Sequence, residues 1–147
     1  MRSIAVGGVF AVLACIAALH AQAPVASGLR IVVLAGEDAV NIIQQETAVR
    51  PLVEVRDRNN LPVAGATVTF TIGAGQPATF AGGVRALTVT TNAAGQAEAW
   101  GFSALGAGSV QIQVQATHQG QIATAGISQT NFATAAAASQ AGAAAGA

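Results

Sequence analysis

The sequence predicts an all-β domain, an antiparallel sandwich or barrel of about seven strands over residues 24–132. Three observations predict it. Short runs alternating apolar with polar residues recur along the chain, clusters of Gly, Asn and Pro separate them, and after residue 23 no convincing helical period outlasts a turn or two. Only 8% of residues are charged, with Thr, Gln, Ser and Asn supplying much of the polarity. That suits strands with uncharged outer faces better than a salt-bridged helical bundle.

At 147 residues the chain has room for one domain of ordinary size. Six Arg balance six acidic residues, and Lys and Tyr are absent. With no basic face and no acidic tail, electrostatics makes no case for nucleic acid or anionic lipid as a partner.

Residues 1–23 read as a signal peptide. Arg2 gives a positive start, Ile4 to Leu19 is an apolar run, and His20-Ala21-Gln22-Ala23 is a small-residue exit. Cleavage fits after Ala21 or after Ala23, and Pro24 just beyond the second favours the first. An uncleaved anchor needs about 20 apolar residues, more than this run supplies. Val12-Leu13-Ala14-Cys15 also resembles a bacterial lipobox, but the apolar run continues through Ile16 to Leu19 where a lipoprotein turns polar. With Cys15 inside a cleaved leader, the mature chain has no cysteine, and disulfides, a thiol nucleophile and a cysteine metal site disappear together.

The first strand is Leu29 to Leu34, ended by Gly36-Glu37-Asp38. Ala39 to Val49 fits a short helix or an extended crossing loop, and Pro51 sits best at the first position of a strand. Val53 to Ile72 is the organising stretch, read as a hairpin. Val53 and Val55 alternate with Glu54 and Arg56, Asp57-Arg58-Asn59-Asn60 makes a turn, Pro62 and Gly65 punctuate the return, and Val68, Phe70 and Ile72 alternate with threonines. Such a pair needs a second layer to bury its apolar face.

Ala78 to Phe80 is a short edge strand, Val84 to Thr91 a longer one, and Asn92-Ala93-Ala94-Gly95 a type I turn. Gln96 to Phe102 carries Ala97 and Ala99 on one side and Trp100 on the other. In Ser109 to Thr117, Val110, Ile112, Val114 and Ala116 alternate with three glutamines and a threonine. His118-Gln119-Gly120-Gln121 turns into the last strand, Ile122 to Asn131. Val53, Val55, Val68, Phe70, Val110, Ile112 and Val114 are thus expected to share one core, with Leu52 and Glu54 pointing away. From Ala133 the chain becomes an Ala/Gly tail with no apolar face, read as disordered or nascent-helical and as a tether to something further on.

Asp57, Pro62, Val63, Gly65, Val68 and Phe70 fill a D-x-x-x-x-P-V-x-G-x-x-V-x-F pattern. Thr88, Thr90, Gly95 and Ala97, with the threonine pair sliding by one residue, fill T-x-T-x-x-x-G-x-A, and Gly108, Ile112 and Val114 fill G-x-x-x-I/V-x-V. Together these resemble the bacterial immunoglobulin-like domains of group 1, the invasin and intimin type, over residues 29–132. The sequence departs at Asn60-Leu61, where the family has Gly-Asn, and at Trp100, where a smaller residue is common. The resemblance implies an immunoglobulin-like β-sandwich serving as spacer, adhesion module or accessory domain.

No catalytic set stands out. His118 is the one histidine after the leader and sits in a turn, where an exposed turn residue is the simpler reading than a general base. Glu37 and Asp38 are adjacent loop acids able to share a cation, but solvated loop acids explain them as well. Asp57 to Asn60 resembles a calcium loop yet lacks its glycine and glutamate. Gly106-Ala107-Gly108 precedes no helix, so a phosphate cradle is not expected. Trp100 is the one ligand-binding candidate, weighed against packing at the sandwich edge.

The expected function is therefore an exported, non-catalytic structural or adhesion module at the cell surface or in the periplasm, with no cofactor and no metal. Its partner is an unidentified protein or envelope component, and it meets a membrane only through an anchor beyond residue 147 or lipidation at Cys15. The alternative is a ligand- or carbohydrate-binding accessory module of an exported enzyme or envelope machine, which an exposed aromatic row would favour.

Overall fold

The computed structural model describes residues 28–145; the expectations for the leader, Cys15 and the cleavage sites lie outside them. The fold is all-β, in three sheets. The smaller main sheet joins β1 (Arg30–Ala35), β3 (Leu52–Arg56) and β7 (Gln96–Glu98) in the order β1-β3-β7. The larger joins β2 (Ala39–Ile42), β4 (Thr67–Ile72), β6 (Ala86–Thr90), β9 (Gly108–His118) and β10 (Gln121–Phe132) in the order β2-β10-β9-β4-β6. A third pairs only β5 (Ala78–Thr79) with β8 (Ser103–Ala104).

The period-2 alternation decides which side chains are buried. Val53, Val55, Val68, Phe70, Val110 and Ile112 are fully buried, Val114 nearly so, and all belong to one cluster fed by both main sheets. Leu52 and Glu54 lie on the outer face of β3 and are only partly covered. Phe70, Phe80 and Phe102 stack in tilted pairs with centroids 6.3 and 6.1 Å apart.

Val53 to Ile72 is not a hairpin. β3 pairs with β1 and β7, β4 pairs with β6 and β9, and the only ladder contact near their connection is the Arg56–Pro62 bridge. The chain instead arches from one sheet to the other. The physical reason is burial: paired side by side, both strands would present their valines to the same side, whereas across the arch Val53 and Val55 join the same buried cluster as Val68 and Phe70. Across the Arg56–Pro62 bridge, Asp57 N donates to Leu61 O at 2.9 Å and Val63 N to Val55 O at 2.8 Å.

The arch is held by local chemistry. Asp57 Oδ1 accepts from the amides of Asn59 (2.8 Å) and Leu61 (3.0 Å), and Asn60 takes φ 65°. Thr91 Oγ1 donates to Val63 O at 2.7 Å and accepts from Ala66 N at 2.8 Å. Gly95, at φ 73°, closes the 92–95 turn, with its N–H on Asn92 O at 2.9 Å. A Cβ there would lie 2.8 Å from Val55 O and 2.9 Å from Pro62 Cβ and Val63 N. Only glycine lets this turn meet the arch.

Four further findings concern the strands and the tail. The pairing is not wholly antiparallel, since β2 runs parallel to β10. The uncertain stretch after Asp38 resolves into β2, a 3-10 turn at Ile43–Gln45 and a bridge between Ile42 and Thr47. The strand expected to run to Phe102 stops at Glu98, and Trp100 sits in the following turn.

The Ala-rich tail forms α1 (Ala135–Ala145) rather than disordered chain. Alanine loses no side-chain entropy in a helix, and Thr134 Oγ1 caps the first turn by accepting from Ala137 N at 3.2 Å.

Candidate functional site

Two grooves open at opposite ends of the molecule. The first, of about 460 Å³, is lined by Leu29, Asp57, Arg58, Pro62, His118 and Gln121, among others. It forms because the β9–β10 hairpin and the β3–β4 arch reach the same end. Gln119 and Gly120 both take positive φ (49° and 76°), a two-residue turn whose twist matches the flanking strands. Beside it, Arg30 and Arg56 both donate to Asn60 Oδ1, the latter at 3.3 Å.

Asp57, Arg58 and Asn59 of the calcium-like loop and His118 of the β9–β10 turn therefore line one groove, and Asn60 does not. They are not a cation cage. Asp57 already spends Oδ1 on two backbone amides, and Arg58 lines the same groove. Among the described residues, no three of His, Cys, Asp and Glu are grouped so as to hold a metal ion.

The other candidates stay apart from this groove. Glu37 Oε2 accepts from Ser128 N at 3.3 Å, and Asp38 N donates to Ser128 O at 2.8 Å, so this loop seats β2 against β10. Gly106 O accepts from Asn131 Nδ2 at 3.1 Å, and the strand β9 starts at Gly108, leaving no helix terminus for a phosphate.

Trp100 lines neither groove and leaves 53% of its surface in solvent, so it does not pack into the edge of the core. The next residue, Gly101, has φ 70° and packs against Ala81, whose Cβ a Cβ on Gly101 would meet at 2.3 Å. Phe70, Phe80 and Phe102 are buried and Phe132 is partly so, so none of them extends Trp100 into an exposed aromatic row.

The second groove, of about 280 Å³, lies between the 43–48 crossing and Phe102 to Ala104.

One constellation was not found from sequence: Asn41, Gln129 and Asn131, all essentially buried. Asn41 Nδ2 donates to Gln129 Oε1 (2.7 Å) and Asn131 Oδ1 (3.0 Å), while Asn41 Oδ1 accepts from Val49 N (2.8 Å). Gln129 Nε2 donates to Val49 O at 3.0 Å, and Asn131 Nδ2 to Pro77 O at 2.9 Å. The signal was present: counting by twos from the buried Ile127 puts Gln129 and Asn131 on the core face. These amides are each other's partners and bind the edge strand and two loops together, which is structural work.

Among the described residues no helix is long and apolar enough to cross a membrane. No protein-family model matches the chain, and no curated protein matches it.

Proposed function

We propose that the chain is an exported, non-catalytic immunoglobulin-like module of the invasin and intimin type that acts as a spacer or interaction domain at the cell surface or in the periplasm. One observation carries the spacer reading. Gly28 lies beside Gln121, at the start of β10, and the chain passes into α1 after Phe132, at the far end of the strand. The eleven steps along the 12 residues of β10, at about 3.4 Å each, put its ends about 37 Å apart. A body that keeps its groove-bearing end one strand length from the end where α1 departs has the geometry of a spacer.

The immunoglobulin-like assignment is supported by the strand order. β1, β3 and β7 stand where strands A, B and E stand in such a sandwich, and β4, β9 and β10 where C, F and G stand. It is supported too by the contact of Gly95 with Pro62 and Val63, which joins two separate parts of the sequence motif.

Export is tested by expressing the chain with its leader in a bacterium. The expected product lies outside the cytoplasm and begins at Gln22 or Pro24; an intact Met1 in the cytoplasm, or lipid on Cys15, overturns the soluble exported reading. The spacer role is tested by titrating the chain with glycans, envelope fractions and divalent cations. Micromolar binding of one small ligand, abolished by Trp100→Ala without loss of fold, would replace the spacer with the ligand-binding accessory module.

A further inference from the structure

We infer that β6 is an open sheet edge through which two copies of this chain pair. A sheet edge exposes unpaired main-chain donors and acceptors, and proteins protect such edges with charge, brevity, bulges or cover. Three of the four main edges here are protected. β1 begins at Arg30 and carries a register shift between Val33 and Ala35. β2 has four residues, follows Glu37-Asp38 and runs straight into a 3-10 turn. β7 has three residues and ends at Glu98, which is ion-paired to Arg50 at 3.2 Å.

β6 has none of these devices. Its five residues, Ala86-Leu87-Thr88-Val89-Thr90, pair in unbroken register with β4 and include no charge and no proline. Arg85, just before it, is turned away onto the carbonyls of Gly73 (3.0 Å) and Gln76 (2.9 Å). None of the five strands of this sheet contains Asp, Glu, Lys or Arg, so two copies meeting here bring no like charges together.

The direction of the free groups follows from the register. Ile72 N donates to Arg85 O and Thr91 N to Ala66 O. Arg85, Leu87, Val89 and Thr91 therefore turn their main-chain groups toward β4, and Ala86, Thr88 and Thr90 turn theirs outward.

A two-fold axis at Thr88 sets Thr88 opposite Thr88 of the second copy, and Ala86 opposite its Thr90. Three hydrogen-bonded pairs then form, on the order of six main-chain bonds. The interface is isologous and closes as a dimer. Thr88 Oγ1 already touches Thr69 Oγ1 at 3.3 Å, so the row of hydroxyls would continue across the axis. The occupant is a second copy because the edge is self-complementary in register, length and charge.

Sedimentation of the purified full chain up to about 1 mM should show a reversible dimer, since one strand pair is a small interface. Thr88→Lys, which sets two ammonium groups face to face, should raise the dissociation constant at least tenfold without moving the melting temperature. Ala86→Lys provides a second variant should the first unfold. Hydrogen exchange localises the contact: the amides of Ala86, Thr88 and Thr90 should slow as concentration rises. A chain monomeric throughout, a dimer indifferent to a folded lysine variant, or edge amides protected equally at every concentration would each overturn the inference.

Discussion

Asn41 Nδ2 lies 2.7 Å from Gln129 Oε1, a buried side-chain bond across the parallel pair of β2 and β10. It anchors edge strand β2, whose other pairing is the parallel register with β10 and one bridge to Thr47. Asn41→Leu removes this bond together with those to Asn131 and Val49 N, leaving their buried groups without partners. The expected loss is about 2–4 kcal/mol of stability. Urea unfolding should show it as a lower midpoint, and an unchanged midpoint would mean that the network contributes nothing net.

Phe70 is fully buried between the sheets with its ring centroid 6.3 Å from that of Phe80. Phe70→Ala should cost about 3–5 kcal/mol. A domain of this size has total stability of about 5–15 kcal/mol, so the melting temperature must fall clearly. A variant that melts with the wild type would contradict the strand register.

Gly95 and Gly65 both have positive φ, 73° and 76°, but of the two only Gly95 has neighbouring atoms within 4 Å of the place a Cβ would take. Gly65→Ala should therefore cost only the backbone conformation, about 1 kcal/mol. Gly95→Ala adds a clash with Val55 O and the arch and should cost at least about twice that. Equal losses in parallel thermal melts would show that the turn and the arch separate freely.

Glu54 and Arg56, two residues apart on the outer face of β3, pair at 2.9 Å. The hydrogen bond from Arg56 holds the Glu54 carboxyl below its ordinary value, against a smaller opposing effect of burial. A depressed folded value means that the pair stabilises above the unfolded carboxylate's range, and that this contribution is lost as pH falls through the folded value. Wild type should thus lose more stability than Glu54→Gln on acidification below about pH 5. Parallel acid-unfolding curves for the two proteins would refute the coupling.

The faces of the strands were legible in the sequence. Val53, Val55, Val68, Phe70, Val110, Ile112 and Val114 enter the core because alternation along one strand needs no knowledge of its partner. Turns were legible for the same local reason: Asn92 Oδ1 accepts from Ala94 N at 2.9 Å and Gln96 N at 3.0 Å, and Asp57 organises its own turn in the same way. Of the site, the groove-lining turns could be named singly, but not their meeting, because His118 and Asp57 are far apart along the chain.

What the sequence by itself determined is thus the buried face of β3, β4 and β9 and the chemistry of the turns, both set by interactions within a few residues. Tertiary structure alone decided which sheet each strand joined. It turned the expected hairpin into an arch between sheets, set β2 parallel to β10, and brought Asn41 onto Gln129 and Asn131, 88 and 90 residues away. The physical reason is that alternation specifies a face to be buried but leaves the main-chain hydrogen bonds free to choose any strand of matching length. That choice is made only when all the faces are buried together.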